Sequence, residues 1–116
     1  MANEKNQLSG NTTMLLLKLL SEKDMYGYEM IETLRARSNN VFELKAGTLY
    51  PILHTLEEQN CLVSYEQEAG GKTRKYYRIT KDGKKYLSQK EQEWQTYVGA
   101  VANVMSISGG DGYAYV

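Results

Sequence analysis

Seven side chains of this 116-residue chain could together recognise a polyanion: Lys45, Thr48, Tyr50 and His54 in its middle, and Lys72, Arg74 and Lys75 further on. Hydroxyl, phenol and imidazole groups offer hydrogen bonds to base edges or phosphates. Ammonium and guanidinium groups offer salt-dependent attraction to a phosphate backbone. No comparable set exists for catalysis. A nucleophile needs a base held by a third group, and the single histidine, His54, and single cysteine, Cys61, lie about two helical turns apart in unrelated roles. Glu57 and Glu58 are neighbours that diverge on a helix. Gly70-Gly71 reads as a turn, because no helix follows at the spacing of a phosphate loop. One histidine also excludes a His-cluster metal site, so the expectation is a binding protein without metal, cofactor or enzymatic activity.

These residues need elements to position them. Leu49, Ile52, Leu53 and Leu56 recur at i, i+3, i+4 and i+7, which puts them in one stripe of a helix reaching to about Asn60. Gly47, Pro51, His54 and Glu58 fall opposite, flanked by Thr48, Tyr50 and Thr55. A start near Gly47 or Thr48 puts Pro51 in the first turn, where its missing N–H has no partner anyway. Upstream, Tyr28, Ile31 and Leu34 form a stripe in a helix expected over Met25–Arg37, with Asp24 as its N-cap and Ser38-Asn39-Asn40 as its stop. Val41 to Lys45 reads as a short extended link. Two short helices joined by a tight polar link have the spacing of a helix-turn-helix, whose second helix enters the DNA major groove.

After Asn60 the period changes. Cys61–Gln67 and Arg74–Ile79 have strand composition about the Gly70-Gly71 turn, giving a β-hairpin with Lys72, Thr73, Arg74 and Lys75 near its tip. Beside a helix-turn-helix such a hairpin is a wing that grips the backbone next to the groove. The fold expected is therefore mainly α with a small β-hairpin.

Charge supports a localised surface. The net charge is zero, and residues 1–53 balance six bases against six acids. Residues 54–71 hold four acids and no Lys or Arg. Residues 72–85 hold seven bases against Asp82 alone. Such a segment faces a defined anionic partner or is a solvated hairpin. With 24% charged and 41% hydrophobic residues the chain is an ordinary globular mixture. No apolar run approaches the roughly 20 residues of a membrane span. The first residues lack a signal-peptide pattern, so a cytoplasmic, nucleoid-associated protein is expected. Cys61 is expected to be a packed apolar thiol.

Two stretches point to a second copy of the chain. Leu8–Leu20 is apolar on nearly every side, with Lys18 its only charge. One face can meet the core, and a partner would cover Leu15 and Leu16; the competing reading is a deeply buried central helix. Thr80 can cap a last helix running to about Ser106. Leu87, Trp94, Val98, Val101 and Met105 recur on it close to a coiled-coil seam, on a helix roughly 40 Å long. The organisation expected is a winged helix-turn-helix domain over 1–80, a C-terminal dimerisation helix over 81–107 and a Gly-rich tail over 108–116.

Tyr26-Gly-Tyr-Glu29, Gly47-Thr-Leu-Tyr-Pro51, Leu56-Glu57, Gly70-Gly71, Arg74-Lys-Tyr-Tyr77, Ile79-Thr80 and Gly83 occur in an order that resembles the PadR family of transcription regulators, in its short form with one C-terminal helix. The resemblance covers about residues 10 to 88. It departs at Thr55, where many members carry Arg, and at Asn60, where Gly is usual. Asn tolerates the left-handed backbone a helix end needs, so the second departure is harmless.

What the resemblance implies is a homodimeric winged helix-turn-helix repressor on a palindromic operator in double-stranded DNA. It also implies release by small aromatic or cationic molecules, multidrug-type effectors among them. Trp94 resembles the tryptophan that stacks on planar ligands in multidrug-responsive members, with Met14, Val98 and Val101 as apolar neighbours. The alternative role for Trp94 is a dimer-packing anchor with no ligand. A second function from another class is a dimeric ligand-sensing or protein-interaction module that keeps this scaffold without binding DNA.

Overall fold

The computed structural model describes the backbone of residues 2–106 and the side chains of residues 11–106. The tail expected over 108–116 lies outside the described residues. Among the described residues, four helices and three strands follow in the order α1 (Ala2–Glu22), β1 (Met25–Tyr26), α2 (Gly27–Arg37), α3 (Ala46–Glu58), β2 (Leu62–Ala69), β3 (Lys72–Ile79) and α4 (Lys81–Met105). This is a winged helix with a long terminal helix, as expected.

Helix α1 is the spine of the core. Met14, Leu16, Leu17, Leu19 and Leu20 are all buried, and Leu15 alone of these leucines is half-buried. α2, β3 and α4 pack around it, so even a small chain has elements enough to cover an all-apolar helix. The expectation of a partner-facing Leu16 is thereby corrected: it is fully buried within the protomer and presents nothing to a second copy.

The expected helix over Met25–Arg37 begins two residues late. Met25 and Tyr26 are extended and pair with Tyr77 and Tyr76 of β3, turning the hairpin into a three-stranded antiparallel sheet of order β1-β3-β2. That pairing draws Met25 into the core and sets the phase of α2. Gly27, Met30 and Leu34 therefore face inward, while Tyr28 of the expected stripe is 61% exposed. Asp24 does not cap α2. Its carboxylate instead accepts hydrogen bonds from Tyr65 Oη at 2.5 Å and Arg78 Nε at 3.1 Å. The helix stops where expected, with Asn39 and Asn40 both at positive φ.

Helix α3 buries Leu49, Leu53 and Leu56, with Ile52 half-buried beside them. It starts at Ala46, so Pro51 is its sixth residue rather than part of the first turn. The carbonyl left without its i+4 donor belongs to Gly47, which is exposed and open to water. Asn60 takes the left-handed conformation at φ +63° and Cys61 N–H closes on the Leu56 carbonyl at 2.8 Å, ending the helix. Cys61 is buried, and that burial pushes its thiol above the ordinary value.

β2 and β3 pair through their whole length about Gly70 and Gly71, at φ +62° and +80°. Two consecutive positive φ values fit a two-residue hairpin turn matching strand twist, and glycine adopts them without strain. Thr80 then caps α4 as expected, its Oγ1 accepting from Gly83 N–H at 2.9 Å and donating to the Asn60 carbonyl at 2.7 Å. Gly83 lies so close to the Cys61 carbonyl that an added Cβ would overlap it. The end of α3, the root of the wing and the start of α4 thus share one knot. Leu87 is buried by this packing, so it anchors α4 to its own protomer instead of opening the seam. Beyond it Trp94, Val98, Val101 and Met105 are exposed, joined by Tyr97 and Val104.

Candidate nucleic-acid interface

The face of α3 opposite its leucines is bare. Gly47, Thr48, Tyr50, Pro51, His54, Thr55 and Glu58 are exposed, as is Lys45 in the extended N-cap position before the first turn. That first turn holds no acid. Thr48 and His54 project freely. Thr55 does not, since its Oγ1 donates back to the Pro51 carbonyl at 3.1 Å. Tyr50 is restrained as well. A Cβ built on Gly27 would overlap Tyr50 Oη and stand 2.8 Å from Cζ, so the phenol lies over the first turn of α2 while 40% exposed. It ties the two helices of the helix-turn-helix together at the surface they share.

The wing divides the cations the sequence grouped together. Alternation along β3 puts Lys72, Arg74, Tyr76 and Arg78 on one face and Lys75 with Tyr77 and Ile79 on the other. Lys75 is exposed, its Nζ 5.6 Å from the centroid of the buried Tyr77 ring. Burial first, then the Glu57 carboxylate, pushes the Tyr77 phenol up. Lys72 is exposed beside the turn. Arg74 is half-buried, its guanidinium carbon 4.4 Å from the Tyr26 ring centroid. Thus Lys45, Thr48, Tyr50 and His54 share α3 and its start, while Lys72 and Arg74 flank one side of the wing and Lys75 the other.

A group missing from the sequence reading occupies the outer face of the sheet. Tyr26 and Tyr76 meet edge-on at 5.5 Å, and Tyr76 stacks on Tyr65 at 5.7 Å. Arg78 lies 5.1 Å over Tyr65 and ion-pairs with Asp24 at 3.0 Å. Hydrogen bonding to Asp24 is the main cause that pushes the Tyr65 phenol up. The period-two run Arg74, Tyr76, Arg78 carried this signal, since a strand must present all three on one side.

Trp94 borders a cleft of about 260 Å³ between α1 and α4, lined by Asn11, Met14, Leu15, Lys18, Phe42, Glu91, Trp94 and Gln95. Met14 and Trp94 both line it. Val98 and Val101 do not line it and continue the exposed seam, which corrects their grouping with the pocket.

A helix-turn-helix, a wing of paired strands and a long terminal helix define a winged-helix regulator. Residues 16–89 match the Transcriptional regulator PadR-like family. The chain is 43% identical over 89 residues to Uncharacterized protein X of Lysinibacillus sphaericus, covering 75% of this chain and 81% of that one. It superposes on a transcriptional regulator from Clostridium thermocellum with a TM-score of 0.77 at 35% identity, covering 83% of this chain and 94% of the other. A PadR family transcription regulator from hypervirulent Clostridium difficile R20291 gives a TM-score of 0.66 at 37% identity, covering 80% and 95%. The chain belongs to the PadR family of transcriptional regulators. Regulators of this family bind DNA and are generally dimeric. No described helix is long and apolar enough to cross a membrane.

Proposed function

We propose that the chain is a sequence-specific repressor that binds a palindromic operator as a homodimer and is released by a small planar aromatic or cationic molecule. The observation that carries the DNA reading is the bare face of α3, from Lys45 to Glu58, behind which every leucine of the helix is buried. In this reading Thr48, His54 and the restrained Tyr50 meet base edges or phosphates in the major groove, with Lys45 on the adjoining backbone. Lys72, Arg74 and Lys75 hold the flanking phosphates and supply salt-dependent affinity rather than sequence choice.

The exposed seam of Trp94, Val98, Val101 and Met105 joins two copies, with Leu15 at its margin. Two α3 helices then meet half-sites about one DNA turn, roughly 34 Å, apart. A ligand in the Trp94 cleft acts by preferring one spacing of the reading heads. Its effect is bounded by its difference in affinity for the two arrangements. Glu91 supplies the cleft with a carboxylate for a cation and Trp94 with a face for a ring.

Sites selected from a random duplex pool test the reading. Replacing Lys72 and Lys75 by Ala is expected to weaken all duplexes alike and reduce the salt slope. Replacing Thr48 or His54 changes the preferred sequence. A wild-type dimer that retains no duplex at low salt would instead be a ligand-sensing or interaction module. Trp94 is the only tryptophan, so its fluorescence on titration with planar aromatic cations reports the cleft separately.

A further inference from the structure

Two arginines stand on the outer face of the sheet, and only one is neutralised. Arg78 is held by Asp24 at 3.0 Å. Arg74 has no carboxylate partner among the described residues, yet its side chain is not loose: it is half-buried against the ring of Tyr26. Tyr26 is itself fixed from two sides. Its backbone pairs with Tyr76, whose ring edge meets it at 5.5 Å, and it is the last residue before α2 begins. Tyr76 in turn stacks on Tyr65, which Asp24 clips in place at 2.5 Å. An arginine stacked on a ring keeps its in-plane N–H donors free, and it has already given up the rotamer freedom that a phosphate contact would demand.

We infer that Tyr26 is a positioning residue for DNA binding: it presses Arg74 into one orientation, from which the unspent guanidinium donors meet a backbone phosphate. This rests on the DNA reading above and adds to it a link between the wing and the start of α2. Lys72, exposed and unstacked, supplies charge alone, and exposed Lys75 has only the longer 5.6 Å approach to the Tyr77 ring on the opposite face.

The test is a double-mutant cycle on a duplex of mixed sequence at low salt. Tyr26→Leu removes the ring and leaves the charge. It is expected to weaken binding about threefold per half-site, hence about tenfold for a dimer, with a nearly unchanged salt slope. Tyr26→Phe keeps the ring and binds like wild type. Arg74→Gln lowers the salt slope by about one per half-site, and adding Tyr26→Leu to it costs nothing further. Independently of any variant, the Arg74 Nε–H resonance of wild type lies upfield from ring-current shielding, and Tyr26→Leu returns it to the free-arginine position.

Additive losses in the cycle would overturn the inference, as would Tyr26→Phe binding as weakly as Tyr26→Leu, which would make the hydroxyl the contact. An unshifted Arg74 resonance in wild type would overturn it even if Tyr26→Leu failed to fold. Failure of the wild type to bind any duplex would remove the DNA reading and this inference with it. Tight wild-type binding with an additive cycle would remove only the inference.

Discussion

Gly27→Ala separates a local packing contact from general helix stability. Alanine is worth about 0.5–1 kcal/mol over glycine in the middle of a helix and less at Gly27, the first residue of α2, so the change should stabilise the protein slightly if nothing stood in the way. Tyr50 stands in the way. The three atoms nearest the new methyl all belong to its ring end, with Cζ at 2.8 Å and Oη overlapping. Tyr50 is 40% exposed and its ring is hinged at χ1, so the ring can swing out at about 0.5–1.5 kcal/mol of rotamer strain. The two effects nearly cancel, and the melting temperature should move by no more than about 4 °C. Binding should not be spared, because the displaced phenol leaves the surface shared by α2 and α3; losing a base or phosphate contact there is worth about 1–3 kcal/mol, or roughly five- to a hundredfold. In a Tyr50→Ala background the clash is gone, and Gly27→Ala should then be more stabilising than in the wild-type background by the strain relieved. Denaturant midpoints of the four proteins, with anisotropy on a selected operator, read both quantities. Equal stabilisation in both backgrounds would refute the contact, and unchanged operator affinity of Gly27→Ala would refute the role given to Tyr50.

The junction below the wing should be far less forgiving. Gly83→Ala pushes a methyl into the Cys61 backbone carbonyl and to within 2.7 Å of Ile79 Cγ1, neither of which can swing away, and a loss of about 2–3 kcal/mol in urea unfolding is expected. Thr80→Ala at the same knot removes the cap on Gly83 N–H and should cost about 1 kcal/mol by the same measurement. On the terminal helix, Val101→Glu places a charge in the exposed seam and should shift sedimentation from dimer to monomer while leaving the circular dichroism spectrum unchanged. Alkaline pH addresses the sheet: Tyr77 and Tyr65 have folded values raised above the ordinary 10.0. Their protonated forms are favoured by folding, so the stability they add is complete below about pH 10 and is lost as pH rises through the folded values. Tyr77→Phe should flatten that alkaline fall in the denaturant midpoint, and an unaltered fall would assign it elsewhere.

Long periodic patterns are legible in the sequence alone, and short elements are not. The leucines of α3 and the Gly-Gly turn each repeat or punctuate a pattern strongly enough to stand alone. Thr80 was legible for the same reason, since a cap acts within one turn. β1 has two residues, and its conformation comes from Tyr76 and Tyr77, fifty residues away along the chain. No local propensity reports such a pairing, and missing it misphased α2 and exposed Tyr28. α1 failed for the opposite reason: an all-round apolar helix fits equally an interface and a central core, and only the packing of α2, β3 and α4 around it decides.

The same distinction governs the interface. Residue types named the cations, but a strand sends neighbours to opposite faces, so Arg74 and Lys75 stand on opposite faces of the wing however alike their charge. Charge counting treats them as equivalent; geometry sets the Arg74 guanidinium carbon 4.4 Å over the Tyr26 ring and the Lys75 Nζ at a looser 5.6 Å over the Tyr77 ring, on opposite faces. On this wing an arginine and a lysine one residue apart therefore differ in what limits them. Arg74 is limited by where its stack holds it, whereas exposed Lys75 is limited by screening. Raising the ionic strength should thus erase the contribution of Lys75 first, while the orientation that Tyr26 imposes on Arg74 persists.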